Sequence, residues 1–190
     1  MNTPNKLTIL RICLVPFFVA FLLWNTLPYN YIWALLVFVL ASVTDAIDGH
    51  VARKHNLITD FGKFLDPLAD KILVVSALIC FVEMRACSAV VVVIVIAREF
   101  LVSAVRLVAV GQGKVIAASN WGKAKTVSQM IAVIYELIFW SVYSLVGEGL
   151  SFFLIGYGIG EALLWISTIL TVISGMDYLW KNRAFVDPSK

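Results

Sequence analysis

Six long apolar runs constrain this chain more than any other property it has. A bilayer core of about 30 Å is crossed by roughly 20 apolar residues in a helix. Six segments of the 190-residue chain are of that order: 7–24, 29–53, 66–84, 88–110, 124–146 and 158–180. Charged residues make up only 14% of the chain, against about a quarter in a soluble domain. The run Val-Val-Val-Val-Ile-Val-Ile at 90–96 has the composition of a strand. In lipid a lone strand leaves its backbone unpaired, so a helix is expected there too. The chain is therefore expected to be an all-α integral membrane protein, one domain over 1–190 with six transmembrane helices. The first run holds Arg11 and lacks a small-residue cleavage site after it. It is expected to stay as a span and not to be removed as a signal peptide.

The basic residues give the helices a sidedness. Lys6 and Arg11 lie at the N-terminus, and Lys181, Arg183 and Lys190 at the C-terminus. Arg53, Lys54, Lys63 and Lys71 flank the second connection. Arg106, Lys114, Lys123 and Lys125 flank the fourth. Together these are 13 of the 15 Lys and Arg residues; Arg85 falls on the other side and Arg98 within a span. The positive-inside rule then puts both termini in the cytoplasm. The net charge of +3 is thus a sidedness signal with anionic lipid headgroups as partner. No nucleic-acid partner is implied. Cys13, Cys80 and Cys87 form no metal-ligand spacing and are expected to be packing residues. A disulfide between Cys80 and Cys87 at the outer face is geometrically open. Gly156 and Gly160 are either a small-xxx-small helix contact or part of an outer loop around 156–160.

Against that apolar background stands the stretch 45–70, DAIDGHVARKHNLITDFGKFLDPLAD. Asp45 and Asp48 close the second run at i, i+3, about 60° apart on a helix. Asp66 and Asp70 open the third at i, i+4, about 40° apart. Each pair presents two carboxylates on one face. The short connection makes the two helices antiparallel neighbours, so the pairs can converge at the cytoplasmic end. Insertion of one Asp at a helix centre costs about 2.5–3.5 kcal/mol, so four isolated ones would cost on the order of 10 kcal/mol. Two divalent cations would neutralise them. Oxygen-only ligation selects Mg²⁺ or Mn²⁺ over zinc. Gly49 and Gly62 leave room for a ligand against the backbone, Ala52 keeps that face small, and Arg53 offers a planar fork for phosphate. The third helix begins either at Asp66-Pro67 or near Thr59-Asp60. The second is preferred, because a capping Asp66 would have its oxygen engaged. Asp60, outside the pattern, reads as a surface cap.

The pattern D-x2-D-G-x2-A-R-x8-G-x3-D-x3-D is complete, and by it the chain resembles the CDP-alcohol phosphatidyltransferase family. The resemblance covers nearly the whole chain. It implies a six-helix membrane enzyme, a homodimer, that binds a CDP-linked lipid at two divalent metals. The phosphatidyl group passes to an alcohol and CMP is released. It further implies Asp45, Asp48 and Asp66 as principal metal ligands, and Asp70 as general base with a share in metal binding. Asp48, Gly49, Arg53 and Gly62 would hold the CDP moiety, with Arg53 at the diphosphate. The segments NTPNKLTILRI, IAREFLVSAVRL and SNWGKAKTVSQM resemble family members whose donor is CDP-diacylglycerol and whose acceptor is sn-glycerol 3-phosphate. This places the enzyme in the plasma membrane of a bacterium, in phospholipid synthesis, with its active site facing the cytoplasm. Family members that make cardiolipin, phosphatidylserine or phosphatidylinositol phosphate remain alternatives.

An acceptor with its own phosphate needs a second cationic site. Arg98, Arg106, Lys123 and Lys125 are the candidates. Arg98 and Arg106 are about 80° apart on the helical wheel. An Arg within a span faces the bundle interior or a partner, so substrate phosphate and structural ion pair are both open for Arg98. Glu99, next in sequence, is expected to point elsewhere. Lys123 and Lys125 could instead meet lipid headgroups. Ser119 and Thr126 could donate to a phosphate, although hydroxyls near helix starts usually cap. A divalent-cation transporter is a rival reading of the four acids, but they fall at one membrane face with no second-half repeat to mirror them. A scaffold without activity has no use for their electrostatic cost.

Overall fold

The computed structural model describes residues 3–55, 60–114, 116–117, 119–147 and 149–185; side chains are described from Thr8 onward within these, apart from those of residues 45–55, 60–68, 70 and 184. The described chain is helical: α1 (Thr3–Leu23), α2 (Asn30–His55), α3 (Asp60–Glu83), α4 (Ala89–Gly111), α5 (Asn120–Val146) and α6 (Leu150–Lys181), then a 3-10 turn at Arg183–Phe185. The valine-rich run at 90–96 lies inside α4, as lipid solvation requires. Among the described residues, α5 and α6 are each long and apolar enough to cross a bilayer. The apolar stretches Thr8–Leu23 and Asn30–Thr44 are shorter. Throughout its length α4 is apolar except for Arg98, Glu99, Ser103 and Arg106.

Several helices outrun the apolar segments read from sequence. Helix α3 starts at Asp60, which favours the earlier of its two candidate starts and puts Pro67 inside the opening turns. The N-cap of α5 is Ser119, whose Oγ accepts from the Gly122 amide at 3.1 Å, so the helix begins before residue 124. Ser88 caps α4 in the same way, accepting from Val90 N at 3.3 Å. The largest departure is α6, which begins at Leu150 and not at 158. Residues 156–160 are therefore helix and not loop. Hydropathy marks the lipid-length part of a helix, whereas caps decide where its backbone ends.

In lipid, packing and interhelical hydrogen bonds hold helices together, because lipid tails are as apolar as leucine. Helix α1 lies against both α2 and α3, α5 against α6 and α2, and α4 against α6. Phe18, Phe38, Phe81, Leu78, Val95 and Leu137 interlock in the main core, with Phe18 and Phe38 ring centroids 5.6 Å apart. Helix α6 turns its smallest residues inward. Gly156 and Gly160 are buried and Gly158 is exposed. A Cβ on Gly156 would overlap the Phe139 ring, and one on Gly160 would overlap the Glu136 carboxylate. Phe139 itself is hemmed in by Tyr135, Trp140, Tyr143, Phe152 and Phe153. The stripe continues through Ser167, Thr171 and Ser174, whose hydroxyls bond to carbonyls three or four residues back. Each polar group is satisfied within the helix, so none opposes close packing.

Cys80 and Cys87 are buried and free, so the open disulfide between them is not formed. Burial pushes the Cys87 thiol, in the α3–α4 turn, up to about 12, with Glu136 and Glu161 adding to the effect. The raised value keeps the thiol protonated at neutral pH, and thiolate appears only as pH rises toward it. Cys87 should therefore resist a thiol-reactive label at pH 8 in folded protein and react after unfolding; rapid labelling of folded protein would contradict this burial. The α5–α6 contact gives a second test. Gly156→Ala should lower stability by about 1–3 kcal/mol through overpacking. Gly158→Ala, with open space around it, should be neutral or slightly stabilising. Thermal unfolding in detergent distinguishes the two.

Candidate active site

The acid motif lies on two helix ends. Asp45, Asp48, Gly49 and Arg53 fall in the last three turns of α2, and Gly62, Asp66 and Asp70 in the first three of α3. Their side chains, and with them the convergence expected of the two acid pairs, lie outside the described residues. The donor set is carboxylate oxygen throughout, which suits a hard divalent cation. Lys71 follows Asp70 directly and is described in full. A larger cavity of about 610 Å³, lined by Leu23, Asn25, Tyr31, Glu83 and Trp140, lies at the opposite ends of these helices.

A cationic cluster begins at Lys71. Glu99 on α4 gathers three cations from three helices. Lys125 Nζ of α5 donates to its Oε1 at 2.5 Å, and Arg98 Nη1 donates to the same oxygen at 2.9 Å. Lys71 Nζ of α3 stands 3.6 Å from Oε2 and donates a hydrogen bond to Ser103 Oγ. Ser103 in turn donates to the Glu99 carbonyl at 2.6 Å. The other Arg98 amino group, Nη2, donates to Ser174 Oγ of α6 at 2.8 Å. Gly175 gives the Arg98 chain its passage, for a Cβ there would sit 3.0 Å from Arg98 Cγ. Helices α3, α4, α5 and α6 are thus tied by hydrogen bonds to charged groups, the stronger kind. Glu99 was expected to point away from Arg98. Neighbouring helix positions do diverge by about 100°, but a side chain as long as arginine reaches round, and the two form an ion pair.

One carboxylate cannot neutralise three cations, so the cluster keeps a surplus of positive charge. It borders a cavity of about 140 Å³ lined by Arg98, Arg106, Ser119, Gly122, Thr126 and Tyr178. The N-terminus of α5 opens onto it, adding the positive end of a helix dipole. Two buried polar atoms of its lining residues have no hydrogen-bond partner among the described residues: Arg98 Nε and Tyr178 Oη. Of the four cations read from sequence, Arg98 and Arg106 line the cavity. Lys125 is buried and turned to Glu99. Lys123 is exposed on α5 and makes no ion pair among the described residues. Ser119 and Thr126 serve the helix start, Thr126 donating to the Gly122 carbonyl at 3.1 Å.

Sequence reasoning gave no site role to Glu99 or Lys71 and missed Ser174 and Tyr178. A signal for the last two was present. Ser167, Thr171, Ser174 and Tyr178 recur every three to four residues along an otherwise apolar helix and share one face.

The chain thus carries an acidic motif on two helix ends and a cationic pocket on the next three helices. Residues 1–173 match the CDP-alcohol phosphatidyltransferase family, and the chain belongs to it. Its relatives include the Bacillus subtilis CDP-diacylglycerol–glycerol-3-phosphate 3-phosphatidyltransferase, 42% identical over 95% of each chain. Proteins of the same name from Rickettsia bellii and Haemophilus influenzae are 38% and 39% identical. The first alignment covers 93% of both chains, the second 94% of this chain and 91% of the relative.

Glu99→Gln removes the one charge that holds Lys71, Arg98 and Lys125. Breaking a largely buried pair from one side should lower stability by roughly 3 kcal/mol, with partial recovery in Glu99→Asp. Thermal unfolding in detergent checks this; an unchanged melting temperature in Glu99→Gln would show that the cluster contributes nothing to the fold.

Proposed function

We propose that this chain transfers the phosphatidyl group of CDP-diacylglycerol to sn-glycerol 3-phosphate, giving phosphatidylglycerophosphate and CMP. The observation that carries the acceptor assignment is the 140 Å³ cavity with surplus positive charge and unpaired buried polar groups on its lining residues. A phosphoryl group supplies the negative charge and acceptor oxygens that this cavity lacks. An unphosphorylated alcohol would leave the cations uncompensated. The names of the relatives agree with this substrate pair.

Six spans are proposed, with both termini and the acid motif facing the cytoplasm, as the distribution of Lys and Arg supports. The setting is a bacterial plasma membrane and the assembly a homodimer. Asp48, Gly49, Arg53 and Gly62 hold the CDP moiety, with the Arg53 guanidinium on the diphosphate. Asp45, Asp48 and Asp66, with a share from Asp70, would hold two divalent cations, Mg²⁺ or Mn²⁺, which supply charge stabilisation to the diphosphate and the departing CMP. Arg98 and Arg106 hold the acceptor phosphate, and this binding orients the acceptor hydroxyl for in-line displacement at phosphorus. Asp70 takes the proton from that hydroxyl as the new P–O bond forms. Lys71 ties the helix that carries Asp70 to the Glu99 cluster, so base and acceptor pocket are held in one frame. Lys125 keeps Glu99 in place, and the exposed Lys123 contacts anionic lipid headgroups.

Purified protein given CDP-diacylglycerol, glycerol 3-phosphate and Mg²⁺ should release CMP. No release with any common alcohol acceptor, from demonstrably folded protein, would end this proposal. Asp70→Asn should lower kcat by about 10²–10⁴-fold while substrate binding persists; loss of binding with turnover otherwise normal would remove the base assignment.

A further inference from the structure

Tyr178 of α6 is 2% exposed. Its ring packs with Val102 and Val105 of α4 in a small cluster flanked by Ile116 and Phe185. The phenolic oxygen nevertheless has no hydrogen-bond partner among the described residues. Buried tyrosine hydroxyls are normally paired, because an unpaired one forfeits its hydration without return. The other buried hydroxyls of this helix have their outlet: Ser167, Thr168, Thr171 and Ser174 all donate to carbonyls one turn back. Tyrosine cannot do the same, because its hydroxyl sits at the far end of a rigid ring, away from its own backbone. That hydroxyl therefore needs a partner from outside the helix.

The neighbouring wall has the same deficit. Both Arg98 amino groups are engaged, Nη1 by Glu99 and Nη2 by Ser174, while Nε is buried without a partner. Arg98 and Tyr178 line the same 140 Å³ cavity from α4 and α6. Its remaining walls supply Arg106 and the start of α5, so the pocket has donors on several sides. A group with several acceptor oxygens and negative charge satisfies all of them together. A neutral hydroxyl adds a directed donor to a site already rich in charge, without adding another buried cation.

We infer that the Tyr178 hydroxyl donates a hydrogen bond to the phosphate of the acceptor, and that Tyr178 is a specificity-determining residue for a phosphate monoester over the free alcohol. The inference rests on the acceptor pocket proposed above and adds to it a neutral ligand that no count of cations would find. A lipid headgroup phosphate has the same chemistry as a soluble phosphate monoester, so the test must separate them.

The test is Tyr178→Phe in the full-length protein. Its KM for glycerol 3-phosphate should rise on the order of tenfold, as expected for loss of one hydrogen bond to a charged group. The KM for CDP-diacylglycerol should stay unchanged. The melting temperature without ligand should stay level or rise, since an unpaired buried hydroxyl is being removed. In detergent free of added lipid, inorganic phosphate should raise the melting temperature of the native chain more than that of Tyr178→Phe. A fall in unliganded stability would mark the hydroxyl as structural and overturn the inference. So would an unchanged KM for glycerol 3-phosphate, which would leave the proposed reaction standing. If the native chain does not use glycerol 3-phosphate at all, the reaction proposal fails separately. The phosphate arm then decides for Tyr178, because equal protection of both proteins overturns its role. Protection by vesicles of anionic lipid, with none by inorganic phosphate, would assign the pocket to a headgroup and also overturn the inference.

Discussion

The ion pairs of Glu99 are the constraint on which the rest of the site depends. A carboxylate and three cations, all but the part-exposed Lys71 largely out of water, are costly to assemble singly. Together they are held by short contacts from α3, α4 and α5, with Arg98 carrying the link on to α6. Removing Glu99 leaves three cations uncompensated, so the four helices share one electrostatic frame. Its imbalance is equally important. One negative charge among three positive ones holds the cations in place without cancelling them, which leaves the surplus that the proposed acceptor phosphate would balance.

That frame requires close helices, and α6 provides the closeness. Gly156 and Gly160 accept Phe139 and Glu136 from α5, and Gly175 lets the Arg98 side chain cross the helix. Between them the hydroxyls of Ser167, Thr171 and Ser174 turn inward at little steric cost. Ser174 alone among these also reaches another helix, accepting from Arg98 while its own proton points to the Thr171 carbonyl. The same face of α6 is therefore a packing surface over most of its length and a wall of the pocket at its end, where Tyr178 replaces the small residues.

The helices were legible in the sequence because each is a long apolar run, and lipid leaves such a run no other way to pair its backbone. Their ends were less so. Helix α6 extends well before residue 158 because a glycine-rich segment, ambiguous by composition, is held as helix by its fit to Phe139. The acid motif was legible from spacing alone, and by that motif the family was too. The proposed acceptor pocket was legible only as a list of cations. A list cannot tell Arg98, which lines the cavity, from Lys125, which is turned to Glu99, because both are simply basic residues on apolar helices. Nor does it contain Tyr178, which carries no charge and sits within an apolar run. Glu99 was misplaced for a related reason: a helical wheel gives the direction of Cβ and ignores the reach of a long side chain.

In the proposed reaction the acceptor's phosphate sits in the pocket of α4, α5 and α6, apart from the acid motif on α2 and α3. An experimental structure with glycerol 3-phosphate bound tests this most directly. A tetrahedral density is expected within hydrogen-bonding distance of Arg98, Arg106 and Tyr178, at the N-terminus of α5. Density for the phosphate elsewhere, with this cavity empty, would contradict it.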